Sequence, residues 1–227
     1  MEIQTILDTL SLFIRDRESV YKNIKDETNL KEYYVVSTIT ILVFGALYGM
    51  VMGLYAGGLQ ILFDAVKIPL LLLIALYVTL PTYYVLNGIL GGDLSLRQLT
   101  VLFMVSVCVL ATMLIAFLPV TLFFTLTTPE RNFTTYGFFI LLNVIFFALS
   151  ALTAVSYLWQ GFSRIHGENK RWIMATFIGT IVLAFVGTQL AWVLRPYFHD
   201  TGVFLAPPSG NFYIALFELL IRLARGY

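Results

Sequence analysis

The sequence predicts an all-α, polytopic transmembrane helical bundle of five spans, with amphipathic helices at the N- and C-termini. Three observations carry the prediction. Long apolar stretches fill residues 35–195 of the 227-residue chain, each reaching the ~20 residues a helix needs to cross a ~30 Å hydrocarbon core. Mean hydropathy is +0.86, with 59% hydrophobic and only 12% charged residues, which removes the chain from the soluble-domain range. Aromatic residues with a polar tip (Tyr33, Tyr34, Tyr83, Tyr84, Tyr136, Trp159, Trp172 and Tyr197) fall near the expected span ends, where such rings settle at headgroup level.

Residues 1–34 form the first unit. Ile3, Ile6, Leu7, Leu10, Phe13 and Ile14, then Val20, Tyr21 and Ile24, follow the spacing of a helix with one apolar face, and Arg15 to Glu18 make it too charged to span. It is expected to lie on the membrane surface or against the bundle as a cytoplasmic segment. Its start has no basic n-region and no small-residue cleavage site, so a removable signal peptide is not expected.

Residues 35–195 form the second unit, with spans at 35–57, 67–90, 99–127, 135–161 and 172–195. Polar or helix-breaking joints are expected at Asp64–Lys67, Gly91–Arg97, Pro129–Asn132 and Arg164–Arg171. Residues 196–227 form the third. An irregular stretch ends in Pro207–Pro208–Ser209–Gly210, and Asn211 to Arg225 then reads as a helix only ~20 Å long, interfacial or docked rather than crossing.

Basic residues near the spans set the orientation. Arg15, Arg17, Lys22, Lys25, Lys31, Arg97, Arg164, Lys170 and Arg171 lie on one side against Lys67, Arg131, Arg195, Arg222 and Arg225 on the other. The N-terminus is therefore expected in the cytoplasm, with the C-terminus across the membrane. A sixth crossing by the last helix would sharpen that asymmetry, while its length and Glu218 argue for five. Lys+Arg 14 against Asp+Glu 13 leaves no charge excess to recruit nucleic acid.

Inside the spans, Gly45, Gly49, Gly53 and Gly57 repeat every four residues and line one side of the first helix, so that another backbone can approach closely. That backbone belongs either to this chain or to a second copy. Pro81 and Pro119 remove backbone donors and predict kinks near Tyr77 and Ile115. Asn143 and Gln189 are amides that need partners in the bilayer, with Ser106, Thr112, Ser150 and Thr188 as candidates, and Arg195 is expected to anchor a span end by pairing with Asp200 or Glu130. No acidic residue falls in the middle of a predicted span, which argues against a cation-coupled relay. His166 and His199 fall on opposite sides with no ligand-spaced partners, Cys108 is alone in an apolar run, and no nucleophile elbow, zinc-protease or phosphate-loop motif occurs. Neither catalysis, a metal nor a cofactor is expected. Asn132–Phe133–Thr134 matches a glycosylation sequon.

One segment carries a family likeness. Ile68–Pro69 leads through a leucine-rich span to Asn87–Gly88–Ile89–Leu90–Gly91–Gly92–Asp93–Leu94–Ser95–Leu96–Arg97–Gln98–Leu99, followed by a span with Pro119. This resembles the Yip1-like membrane proteins, in which a span ends at a Leu-Gly-Gly turn and a short Ser-x-Arg/Lys joint opens the next helix. The resemblance implies a five-span, non-enzymatic scaffold or assembly partner with a cytoplasmic N-terminus. The long cytosolic region and Asp-Leu-Tyr-Gly-Pro element of eukaryotic members are missing, so the implied branch is the shorter prokaryotic one, in a cytoplasmic membrane, without Rab binding. The tail from Gly187 onward lies outside the resemblance. The expected partners are the lipid bilayer and either a second copy or other membrane subunits; the alternative function is a homo-oligomeric channel or small transporter with the glycine stripe as its seam.

Overall fold

The computed structural model describes residues 3–89, 92, 94–128, 132–166, 171–198, 202–207 and 209–225. They form the helices α1 (Ile3–Arg15), α2 (Arg17–Lys25), α3 (Leu30–Leu54), α4 (Gln60–Ile89), α5 (Leu96–Thr127), α6 (Phe133–His166), α7 (Arg171–Val193) and α8 (Phe212–Arg225). Five of them, α3 to α7, are long and apolar enough to cross a membrane. Short joints make each of these run against its neighbour.

α5 is the central element. Every residue from Val101 to Val109 is buried, so this helix is apolar all round rather than on one stripe. It starts with a reciprocal capping box: the Ser95 side chain accepts from Gln98 N–H at 3.2 Å, and Gln98 Oε1 accepts from Ser95 N–H at 2.8 Å. α3 packs on both α4 and α5, α6 packs mainly on α5, and α7 mainly on α4.

The boundaries move from the sequence expectation by five residues or more at three places, one of them the end of α6, which runs on to His166 rather than 161 and takes Arg164 of the expected joint into the helix. α3 begins at Leu30 rather than 35, because Lys31 and Glu32 sit in its first turn where they reach water. α4 begins at Gln60 rather than 67, so the expected Asp64–Lys67 joint lies inside the helix. The chain turns earlier, at Tyr55 to Leu59, where Gly57 and Gly58 take φ of 80° and 55°, a left-handed conformation that glycine adopts without a Cβ penalty.

The terminal helices are docked, not loose. Phe13, Val20, Tyr21 and Ile24 are buried in the same core as Tyr83, Leu102 and Phe162. Asp16 caps α2 by accepting from Ser19 N–H and Oγ–H at 3.2 and 2.6 Å, bonds that hold its carboxyl below the usual range. Tyr21 Oη–H donates to the Tyr157 carbonyl at 3.0 Å, and burial pushes its phenol above the ordinary range. α8 bridges α6 and α7 at the other end of the bundle. Leu223 sits over Gly137, and Tyr213 meets Thr188 at 3.0 Å.

Candidate functional site

The most polar part of the bundle interior is built from the first two turns of α4. Gln60, Asp64 and Lys67 follow one another at four and three residues and so share one helix face, and all three are fully buried. Gln60 Nε2 donates to Asp64 Oδ1 at 2.6 Å and to the Pro196 carbonyl at 2.6 Å. Lys67 Nζ donates to the same carbonyl at 2.5 Å but stands 3.7 Å from Asp64 Oδ1, too far for a hydrogen bond. Its remaining face is turned to three rings, with centroids 5.9 Å away in Phe63, 5.5 Å in Tyr197 and 5.2 Å in Phe204. That arrangement suits an ammonium group. Asp64 Oδ2 and Gln60 Oε1 have no hydrogen-bond partner among the described residues.

α3 closes the cluster from behind. A Cβ added to Gly49 would lie 2.1 Å from the Asp64 carbonyl oxygen, one on Gly53 would lie 2.7 Å from that of Gln60, and one on Gly45 would meet Pro69 at 3.2 Å. The stripe is therefore filled by α4 of the same chain, along an antiparallel register. Gly57 takes no part, since it lies beyond the end of α3 in the turn.

The segment after α7 forms the lid of the cluster. Arg195 stacks on the Trp192 ring at 4.0 Å and donates to the carbonyls of Trp192 and Pro207, both at 2.9 Å, and to Ser209 Oγ at 2.6 Å. Its peptide bond to Pro196 is cis, and Ala206 N–H returns to the Arg195 carbonyl at 2.9 Å. Arg195 thus anchors this crossover through backbone carbonyls; the expected partners Asp200 and Glu130 lie outside the described residues, as does His199.

Asn143 and Gln189 do not join this cluster. Asn143 is buried on α6, where its Oδ1 accepts from Tyr48 Oη–H at 2.8 Å and its Nδ2 donates to the Phe139 carbonyl at 2.9 Å. Tyr48 also meets Thr121 at 3.4 Å, so one phenol links α3, α5 and α6. Of the four hydroxyls expected to serve Asn143 and Gln189, Thr112 bonds the Cys108 carbonyl and Ser106 that of Leu102, both within their own helix, Thr188 turns to Tyr213, and Ser150 Oγ is buried without a hydrogen-bond partner among the described residues. Gln189 is half-buried on α7, with no side-chain hydrogen bond among the described residues.

At the amino-terminal end of the bundle a second polar joint gathers the residues of the family-like segment. Gln98 Nε2 donates to the carbonyls of Ile24 and Lys25 at 3.1 and 2.9 Å, and Ser95 Oγ–H donates to Glu27 at 3.0 Å, which fastens the end of α2 to the start of α5. Asn87 Nδ2 holds the carbonyls of Gly92 and Leu94, and its Oδ1 meets His166 Nε2 at 3.0 Å. A groove beside this joint is lined by Glu27, Lys31, Glu32, Tyr34, Leu96 and Arg97.

Sequence reasoning missed the Gln60–Asp64–Lys67 face because Asp64 and Lys67 read as a joint and Gln60 was not joined to them. Their four-and-three spacing was the available signal. Among the described residues no group of His, Cys, Asp and Glu is placed to hold a metal ion. What the fold defines is a multi-pass integral membrane protein of five apolar helices. Comparison with protein-family models, curated proteins and solved structures found no match to this chain.

Proposed function

We propose that the chain is a non-enzymatic integral membrane protein of the Yip1-like kind, working as a scaffold or assembly partner in a membrane complex. The observation that carries this reading is the use made of the Ser95–Gln98 joint, the most family-like part of the sequence. It grips the end of α2 through two backbone carbonyls and the following linker through Glu27, and so fixes the linker and the start of α3 as one wall of the groove at that end. Glu27, Glu32, Lys31 and Arg97 give that groove charges of both signs around Leu96 and Tyr34, the surface of a protein contact more than of a single small anion. The glycine stripe supports the same choice over the channel reading, because its cover is α4 and not a second copy.

A photo-crosslinking amino acid at Arg97, compared with one at Leu152 on the exposed side of α6, tests the reading in native membranes. The expected result is one discrete protein adduct from position 97, lost when Lys31 is changed to Glu, and only lipid adducts from position 152. Lipid adducts alone from both positions would overturn it.

A further inference from the structure

The polar cluster on α4 has a hydrogen-bonding imbalance with one simple resolution. Both N–H bonds of the Gln60 amide are used, one on Asp64 Oδ1 and one on the Pro196 carbonyl, and that carbonyl also takes Lys67. Two acceptors are left over, Asp64 Oδ2 and Gln60 Oε1, both buried, on two groups already joined by their other halves. An ionised Asp64 leaves both bare, and buried acceptors are rarely left so. It would also draw the ammonium to within about 2.9 Å, whereas Lys67 stands 3.7 Å away and bonds Pro196 instead.

We propose that this cluster is a proton-binding site, in which Asp64 Oδ2 carries a proton donated to Gln60 Oε1. The carboxylic acid and carboxamide then form a closed pair, N–H to Oδ1 and O–H to Oε1, and every polar atom of the two side chains is satisfied. Lys67 remains the charged member, held by the Pro196 carbonyl and the rings of Phe63, Tyr197 and Phe204. Binding takes one proton from the aqueous phase, forms one O–H bond and needs no other reactant. Loss of the proton leaves a carboxylate whose nearest cation among the described residues is Lys67; the ammonium moves to it and away from Pro196, and the Pro196 carbonyl loses one of the two side-chain hydrogen bonds that tie it to α4.

Among the described residues no other charge competes for Asp64. On α4 it faces Lys67, and the crossover contributes the Tyr197 phenol, whose Oη–H is engaged with the Ala191 carbonyl. α3 presents Gly49 and Gly53 there; its charges, Lys31 and Glu32, lie at the other end of the bundle, and its phenols Tyr48 and Tyr55 are turned to α6. Arg97 of α5 also belongs to that other end, and Arg195 is engaged with Trp192, Pro207 and Ser209. The inference stands apart from the scaffold reading, since a proton site at this end is compatible with any partner at the other.

Infrared difference spectroscopy on the full chain in lipid vesicles tests it. The expected result at neutral pH is a carboxylic-acid C=O band of one group per chain that shifts in D2O, is absent in Asp64→Asn, and disappears as pH is raised. A spin label at Val203, on the crossover, should gain mobility over the same pH interval. Should Asp64→Asn fail to fold, Gln60→Leu serves instead, because removing the amide partner must move the band to higher frequency. Absence of an acid band at neutral pH, survival of the band in Asp64→Asn, or an unmoved band in Gln60→Leu overturns the proposal.

Discussion

Replacing Gly49 by alanine is the sharpest perturbation of the bundle. The new Cβ would fall 2.1 Å from the Asp64 carbonyl oxygen, 2.6 Å from its carbon and 3.0 Å from Ala65 N, and all three are backbone atoms that no rotamer change can remove. Ordinary contact begins near 3.4 Å, so α3 and α4 must separate by about 1.3 Å at this level. Forcing one methyl into a packed interior costs about 1–3 kcal/mol, and a gap of 0.5–1 Å already forfeits roughly a quarter to a half of each dispersion contact along the seam. Against this stands at most about 1 kcal/mol of helix propensity gained by alanine over glycine. The net expectation is a loss of about 1–3 kcal/mol. Gly88→Ala, with nothing within 4 Å of the new methyl, is the neutral control, and Gly45→Ala, 3.2 Å from the Pro69 ring, is the intermediate case. Thermal unfolding of the three variants in one detergent reads the order directly. Wild-type stability for Gly49→Ala, or a larger loss for Gly88→Ala than for Gly49→Ala, would refute the argument that backbone contact holds α3 against α4.

Two further variants probe the polar ties. Asn143→Leu strands the Tyr48 hydroxyl with only the long contact to Thr121 and is expected to cost about 1–3 kcal/mol, read as a lower unfolding midpoint in detergent. Gln98→Leu removes both carbonyl bonds to the end of α2 and half of the capping box; hydrogen exchange should accelerate at Arg17–Lys25 while the centre of α5 stays protected.

The five spans were legible because length and hydropathy are one-dimensional properties that the bilayer reads directly. The amphipathic terminal helices were legible for a similar reason, from periodicity. The polar cluster was not, because Asp64 and Lys67 look alike as a water-exposed joint and as a buried face; only the three-dimensional cover supplied by α3 and the Pro196 crossover distinguishes the two. The stripe of Gly45, Gly49 and Gly53 announced a close approach but not its partner, since a glycine groove fits a neighbouring helix of either chain. Asn143 illustrates a third limit. Its partner, Tyr48, sits in the same helix as the glycines, and nothing in a linear string reveals that a side chain on the flank of the stripe reaches α6.

The docking of α1 and α2 also bears on how the chain is made. Tyr21 bonds a carbonyl 136 residues further along, and Phe13 and Ile24 lie in a core completed by α5 and α6. At about 5–20 residues per second, synthesis of that interval takes roughly 7–27 s. Throughout it the amino-terminal helices have their apolar faces and no bundle to bury them in. A bilayer surface is the nearest medium that accepts such a face. The first two helices would therefore begin life as lipid-bound elements and become protein-bound once α6 is in place, an exchange of lipid for protein around Phe13 and Tyr21.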